Sequence, residues 1–355
     1  MKTKFLSMIA LCVAAFSFVS CSEEEPGGSE GGNGDNTNPT GTVKMTLEGK
    51  VDDGTKEGVY ANIVYVNLEA QAQQQVARKS WHLAFYCGKD NRVVLNQALS
   101  RAVSSNMTDF AAVTVKEAEA APNLAGGMTD FPKDKLVYDD CSGDLNKTAF
   151  GEIAADPAKS EVFFLASGDM KDRATWFKVK VTAEGNGYKI EYGNVNDKTA
   201  KTAKISKASD NLFIGFSLET GKVVNLPAKW DLSWSYAMAT TTMPNGKVFP
   251  GQAQDVITVN NHLNVETAVV KINEVCSYAD FKKADLAKVK FQKEANVIGS
   301  DWRTPPMPNA TAGPKDDRFY VFKSGNNFYK LHFLHFCEAD GGERGRTELE
   351  YEILK

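Results

Sequence analysis

Apolar and polar residues alternate with period two in many short segments of the chain after residue 60. Gly, Asn, Asp or Pro separate these segments, which is the pattern of half-buried strands bounded by turns. Helical periodicity is weak, and a short helix is favoured in 110–121 and 278–290 alone. The sequence therefore predicts an all-β protein with minor α content. The predicted strands are 60–68, 81–86, 161–166, 176–182, 187–192, 212–218, 230–236, 318–323, 328–336 and 347–353.

One stretch lacks this alternation. Residues 236–256 are polar and carry no pattern of their own, so they are interpreted as a connection longer than the usual loop. Loops of that size in a compact domain are often functional.

Two parts of the chain resemble each other. "VYVNLEAQAQQQVARKSWHLAFY" (64–86) and "IGFSLETGKVVNLPAKWDLSWSY" (214–236) each contain an alternating strand that ends at Leu-Glu, a turn, a second strand or loop, and then Trp-x-Leu. A hairpin pattern with a Gly/Asn turn and Tyr-Lys follows each of them. This repetition predicts two tandem antiparallel β domains, at 43–207 and 208–355.

The first twenty residues predict export. A basic start precedes an apolar run from Met8 to Val19, which is too short to span a bilayer. The small residues that then lead to Cys21 resemble the lipobox of bacterial lipoproteins. That resemblance implies that 1–20 is a signal peptide and that Cys21 is acylated, for instance with palmitate, as the mature N-terminus. A plain cleaved signal peptide is the alternative.

Residues 21–42 are predicted to be a flexible tether, because they are acidic and rich in Gly and Asn and hold no aromatic or branched aliphatic residue. The acidic run behind the cysteine resembles the export signal of surface-exposed lipoproteins in the Bacteroidetes; a merely solvated linker is the alternative. Without the signal peptide the chain has 39 basic and 45 acidic residues, a net charge of −6. It therefore offers no basic field to attract nucleic acid.

No catalytic constellation emerges from the sequence. It has no Gly-x-Ser-x-Gly elbow, no phosphate-binding Gly-Lys-Ser loop and no His-Glu-x-x-His helix, and it holds four histidines in all. Cys87, Cys141, Cys276 and Cys337 lack CxxC spacing, so a zinc or redox motif is unsupported, while disulfides and buried free thiols both stay open. We expect the protein not to be an enzyme.

Four motifs in order resemble the HmuY family of haem-binding lipoproteins of the Bacteroidetes. They are "TDFAAVT" at 108–114, Trp-Asp-Leu after "FSLETGKVV", "IGSDWR" at 298–303 and "DRFYVFKSGNNFYKLHF" at 317–333. The resemblance covers 60–355 as two copies. It implies a haemophore of the outer-membrane surface, in which an all-β domain binds haem for iron acquisition and passes it to a TonB-dependent outer-membrane receptor.

The resemblance also implies two axial ligands for the haem iron, one of them in the loop before the last hairpin. At that place the sequence "DWRTPPMPN" (301–309) carries Met307 among three prolines. Prolines exclude a helix or a central strand there, and thioether sulfur is a recognised axial ligand. Met307 is therefore the leading candidate ligand.

The opposite ligand cannot be matched residue by residue. In the second copy the choice stays open between His262, Cys276, Met238 and Met243, and the first copy offers Met170 and Met128 as an equivalent pair.

A function without haem is the alternative. Methionine is more often a gap-filler in a core than a ligand, and the protein would then be a structural or adhesive module that binds glycan or protein through exposed aromatic side chains. Four tryptophans are nevertheless expected to anchor the core: Trp81, Trp230, Trp234 and Trp302.

Overall fold

The computed structural model describes residues 41–125, 131–132, 135–208, 210–242 and 248–355. The predicted signal peptide, Cys21, Met128 and Met243 lie outside the described residues. The described part consists of antiparallel β-sheets with a few short helices, so the predicted all-β class is confirmed.

The strands are short and follow one another with few helical interruptions. In chain order they are β1 (Thr42–Glu48), β2 (Asn62–Asn67), β3 (Ala72–Ala77), β4 (Leu83–Tyr86), β5 (Val93–Leu95), β6 (Ser100–Ser104), β7 (Val162–Ser167), β8 (Phe177–Ala183), β9 (Gly187–Asn194), β10 (Lys201–Ser206), β11 (Phe213–Ser217), β12 (Lys222–Asn225), β13 (Leu232–Thr242), β14 (Val248–Val259), β15 (Glu266–Lys271), β16 (Arg303–Thr304), β17 (Gly313–Pro314), β18 (Arg318–Ser324), β19 (Asn327–His335) and β20 (Arg346–Ile353).

The helical elements are short. The α-helix α1 (Val115–Glu119) lies inside the predicted segment 110–121, and its N-cap Thr114 forms a capping box with Glu117. The segment 278–290 holds the 3-10 helix Lys283–Lys288. Further 3-10 turns are Gly58–Tyr60, Arg173–Thr175, Asn261–Leu263 and Glu338–Asp340.

The sheets form two sandwiches. Strands β4 to β12 build the middle sandwich, whose sheets have the orders β10-β9-β8-β7-β6 and β12-β11-β4-β5. The two ends of the chain build the terminal sandwich, with the orders β1-β20-β19-β18-β15 and β14-β13-β2-β3. Each sandwich encloses its own apolar core, one around Phe85, Tyr188 and Phe216 and the other around Trp234, Trp302 and Phe322.

The strand pairing does not follow the predicted division into 43–207 and 208–355. β11 pairs with β4 across that boundary, and β2 pairs with β13. β1 likewise pairs with β20, and residues 39–355 form one compact unit. The physical reason is that the hairpin after each Leu-Glu strand pairs with the distant Trp-x-Leu strand, β11 with β4 and β2 with β13, which alternation along the sequence cannot reveal.

The repeated motif explains this exchange of hairpins. The backbone N–H of Leu68 donates to Asp231 Oδ2 at 2.7 Å, and the N–H of Leu218 donates to His82 Nδ1 at 3.2 Å. The residue between Trp and Leu of one copy thus satisfies the Leu-Glu turn of the other. Buried backbone donors need such partners.

The two sandwiches also resemble each other on the outer faces of their five-stranded sheets, where each buries one lysine. The Nζ of Lys178 in β8 donates to the carbonyls of Phe110 and Val113, and the Nζ of Lys330 in β19 donates to those of Tyr278 and Phe281. Both lysines are almost fully buried. A buried ammonium persists where carbonyl oxygens satisfy its donors.

Residues 236–256 were interpreted from sequence as a loop, and this was wrong. β13 and β14 pair as one long hairpin through most of this stretch. Its sequence is rich in Ala, Thr and Gly because much of the hairpin has no core against which to alternate.

The four cysteines of the described chain, Cys87, Cys141, Cys276 and Cys337, are free thiols. Among the described residues no helix has the length and apolar character needed to cross a membrane.

Candidate functional site

A cavity of about 210 Å³ lies where the two four-stranded sheets face each other, between the middle and terminal sandwiches. β2 contributes Tyr65 and the chain just before β4 contributes Trp81, while Phe213 and Trp230 come from the second repeat. Tyr65 and Trp230 meet edge to face with their ring centroids 5.2 Å apart. One wall of the cavity is therefore aromatic.

The opposite wall is polar and consists of the 139–148 loop and the 3-10 turn Asn261–Leu263. These two segments are tied together, because Asn261 Nδ2 and the backbone N–H of Ala295 both donate to the carbonyl of Ser142. Gly143 packs so closely that an added Cβ would lie 2.8 Å from Asn261 Oδ1. The polar wall is thus a rigid part of the fold.

Asp139 holds this loop on the middle sandwich. Its carboxylate accepts hydrogen bonds from the backbone N–H groups of Leu95 at 2.6 Å and Ala149 at 2.9 Å. Burial raises the pKa of Asp139 to about 7 despite these bonds and the nearby charge of Arg101. Both oxygens are occupied by the backbone, so Asp139 acts as a structural group.

Two of the sequence candidates for haem ligation, Met238 and His262, line this cavity. Met238 is 4% exposed, and its sulfur accepts from Nη2 of the buried Arg101 at 2.7 Å. His262 is half-buried beside Phe213 and Tyr86, and burial lowers the pKa of its imidazole. At about 210 Å³ this cavity is smaller than the roughly 300 to 1,000 Å³ of pockets that take drug-sized ligands.

Met307 lies elsewhere, and its side chain is 55% exposed. Its loop is closed at the base by the pairing of β16 with β17 and within by a bridge between Met307 and Ala310. The prolines exclude regular structure around it, as predicted. The structure therefore does not bring Met307 together with Met238 and His262.

The chain that leads to the Met307 loop runs beside β14. The backbone N–H groups of Val259 and Ile257 donate to Ala295 and Gly299 respectively, and Trp302 Nε1 donates to the carbonyl of Asp255 at 2.7 Å. The chain from 295 to 303 thus runs antiparallel to β14.

A buried ion pair fixes the base of this loop. Arg303 Nε lies 2.9 Å from Asp255 Oδ2, and Arg303 Nη2 donates to the carbonyl of Gln254. Asp255 is fully buried and also accepts from the hydroxyl of Tyr60. Paired and hydrogen-bonded charges of this kind are costly to break, so the direction of the loop is well determined.

The remaining candidates have other surroundings. Met170 packs, half-buried, against the apolar cluster around Trp176, and Cys276 packs against the cluster around Phe281. Trp81, Trp234 and Trp302 are buried as expected for core anchors, whereas Trp230 is half-buried at the cavity. Met128, Met243 and Cys21 lie outside the described residues.

The histidines of the last hairpin are engaged in structural contacts. His332 stacks on Tyr278 with a centroid distance of 3.9 Å, and its Nε2 lies 2.8 Å from Glu350. His335 Nδ1 lies 2.7 Å from the carbonyl of Asp340. Within the described ranges, no group of three or more His, Cys, Asp or Glu residues is arranged to hold a metal ion.

Two antiparallel β-sandwiches with a small aromatic cavity place the protein in the all-β class. The sequence matches the profile of the HmuY family, described as HmuY protein, over residues 59–351, and the chain belongs to this family. Membership suggests haem binding in a non-enzymatic protein. Neither the curated proteins nor the solved structures contain a significant match.

Proposed function

We propose that this protein binds haem, or a related porphyrin, for haem and iron acquisition, and that Met307 supplies one axial ligand. The observation that carries the proposal is the exposure of the Met307 side chain on a loop with a fixed base. A thioether that belongs to no core cluster is available to iron without unfolding. Membership of the HmuY family supplies the ligand class.

For the opposite ligand we propose Met243, by elimination among His262, Cys276, Met238 and Met243. Cys276 packs against the apolar cluster around Phe281. Met238 is buried and its sulfur accepts a hydrogen bond from Arg101, while His262 is half-buried against Phe213 and Tyr86. Met243 follows β13 directly in sequence. Two thioethers would favour low-spin iron at a raised potential.

We further propose that acylated Cys21 anchors the protein to the outer membrane, facing the cell surface, and that a TonB-dependent receptor takes over the haem. The support is the lipobox-like sequence, the acidic tether and the family. Two or more acyl chains hold a protein on a membrane far more firmly than one.

The test is a haemin titration of the mature protein followed by visible spectroscopy. We expect a shifted, sharpened Soret band in the wild type. Met307→Leu keeps the apolar bulk and removes the sulfur, so it should lose that band shape and weaken binding at least tenfold, as expected for a lost ligand. Met307→His should restore a low-spin spectrum.

Met170→Leu is the matched control, because it makes the same change in a packed methionine and should leave the spectrum as in the wild type. Met243→Leu should behave like Met307→Leu. A wild-type spectrum identical to free haemin would end the haem proposal. Unchanged binding by Met307→Leu would remove Met307 as the ligand and leave haem binding standing.

The adhesive alternative gains no support from the described surface. The exposed large apolar side chains there are Val51, Leu136, Val223, Val248, Leu263 and Met307, and none of them is aromatic. Stacking on sugars needs exposed rings.

A further inference from the structure

The cavity between the sandwiches contains polar atoms that have no partner. Trp81 is 6% exposed and lines the cavity, yet its Nε1 donates to no acceptor among the described residues. Gln97 Oε1 and Asn261 Oδ1 are likewise buried, unpaired and part of lining residues. Unsatisfied buried groups are rare in folded proteins and call for an explanation. One unpaired donor and two unpaired acceptors among the residues that line one cavity indicate a site that binds a polar ligand.

The charged side chains that line the cavity are acidic. Asp140 and Asp144 lie on the polar wall, and no lysine or arginine is among the described residues that line the cavity. Hydrogen bonds from Asn146 lower the pKa of Asp144, so that carboxylate is charged at neutral pH. His262 is neutral there because burial lowers its pKa. The side chain of Arg101 lies behind Met238 and donates to Met238 and to the carbonyls of Gln97 and Ser100.

The aromatic wall of the cavity suits the apolar part of a ligand. Tyr65, Trp81, Phe213 and Trp230 present aromatic surface, and Ile63 and Leu226 add aliphatic surface. Aromatic faces attract cations as well as apolar groups. An ammonium has three donors and no acceptor, which matches the acceptors Gln97 Oε1, Asn261 Oδ1 and an aspartate, whereas the N–H of Trp81 is left without an acceptor.

We propose that this cavity is a binding site for a small organic amine, with the apolar body against the aromatic wall and the ammonium at the polar wall near Asp140. The site is separate from the Met307 loop, and the proposal does not rest on haem binding. A volume of about 210 Å³ limits the guest to one ring or a short alkyl chain.

The experiment compares three probes of nearly equal size on the haem-free mature protein by isothermal titration calorimetry at pH 7.5. Phenethylamine carries the ammonium, phenethyl alcohol is neutral, and phenylacetate is an anion. We expect the amine to bind at least tenfold more tightly than the alcohol, because hydrogen bonds to charged groups are stronger than neutral ones. The anion should bind most weakly.

Asp140→Asn should reduce the affinity for the amine about tenfold and leave the alcohol unchanged, whereas the exposed Asp316→Asn should alter neither. Ser233→Leu, which fills the cavity from β13, should abolish binding of amine and alcohol alike. Absent binding of the amine, equal affinity for all three probes, or an Asp140→Asn variant with wild-type amine affinity would each overturn the proposal; water alone would then satisfy the unpaired atoms. Haemin binding is measured separately, so failure here leaves the haem proposal untouched.

Discussion

Individual buried polar side chains hold distant segments of the chain together within each sandwich. Asp231 is buried and accepts from the Leu68 N–H and from the Ser324 hydroxyl, and in the other sandwich His82 accepts from the Leu218 N–H. These bonds bridge residues that are far apart in sequence. They therefore help to select one pairing of the repeated hairpins among those that the similar sequences allow.

Removing the Asp231 carboxylate should be destabilising. In Asp231→Ala the buried N–H of Leu68 loses its acceptor, which costs about 1–3 kcal/mol, and this loss is measurable by urea denaturation. Asp231→Asn keeps an oxygen in place and should cost less. Equal losses in the two variants would show that the charge, and not the acceptor, is what matters.

His82 should make stability depend on pH. Burial lowers the pKa of its imidazole to about 4, below the ordinary value near 6.5. The unfolded chain therefore binds more protons between these values, and the free energy of unfolding should fall as the pH drops from about 6.5 to 4. His82→Gln offers an oxygen to Leu218 without titrating, so its curve should be flatter over that window. Parallel curves for the two proteins would contradict this.

Gly49 is required by close packing on a tryptophan. An added Cβ would lie 1.9 Å from Cζ3 of Trp234, whose ring stacks on Tyr60 with centroids 5.4 Å apart. Gly49→Ala should therefore destabilise the terminal sandwich by about 1–3 kcal/mol, as overpacking does. Gly54→Ala is the control, because an added Cβ there meets open space. Its loss of unfolding free energy should come from the positive φ of 75° alone.

At the level of elements, strict alternation predicted the strands that have a neighbour on both sides. β2, β7, β9, β11, β18 and β19 are examples, and each lies inside its sheet. The alternation did not predict most edge strands, and for the others it predicted either a strand or a loop. β12 (KVVN) and β10 (KTAKIS) show why, since edge strands carry lysine and polar residues that discourage pairing with other chains.

The candidate site was predictable in part. The conformation of the Met307 loop depends on residues that are adjacent in sequence, and its prolines alone excluded regular structure. The cavity could not be predicted, because Tyr65, Asp140 and Trp230 meet through pairings between distant strands. The burial of Met238 has the same origin, since its partner Arg101 lies 137 residues away.

β1 should be essential although it is an edge strand. It pairs with β20 along its whole length, and its Leu47 is fully buried in the terminal core. A chain that begins at Lys50 should be less stable than one that begins at Thr42 by at least about 2 kcal/mol, from the burial of Leu47 alone. Thermal unfolding followed by circular dichroism measures the difference. A chain beginning at Thr42 should match the mature protein.

At the scale of the whole molecule, the sandwiches and not the sequence repeats should be the folding units. Residues 79–229 contain every strand of the middle sandwich. The segment 43–207 lacks β11 and β12, and it contains β1 without β20 and the β2–β3 hairpin without β13. We expect the isolated 79–229 segment to unfold cooperatively in urea and to give dispersed amide resonances. The 43–207 segment should do neither, and cooperative unfolding of 43–207 would argue for two tandem domains.

The pairing of β1 with β20 bears on biosynthesis. A ribosome releases the middle sandwich in full once residue 225 has emerged, but the first strand must wait for the last one before it finds its partner. Unpaired strands exposed for so long are prone to aggregate. Nascent β1 to β3 are therefore the segments that a chaperone would need to shield until β13 and β20 have emerged.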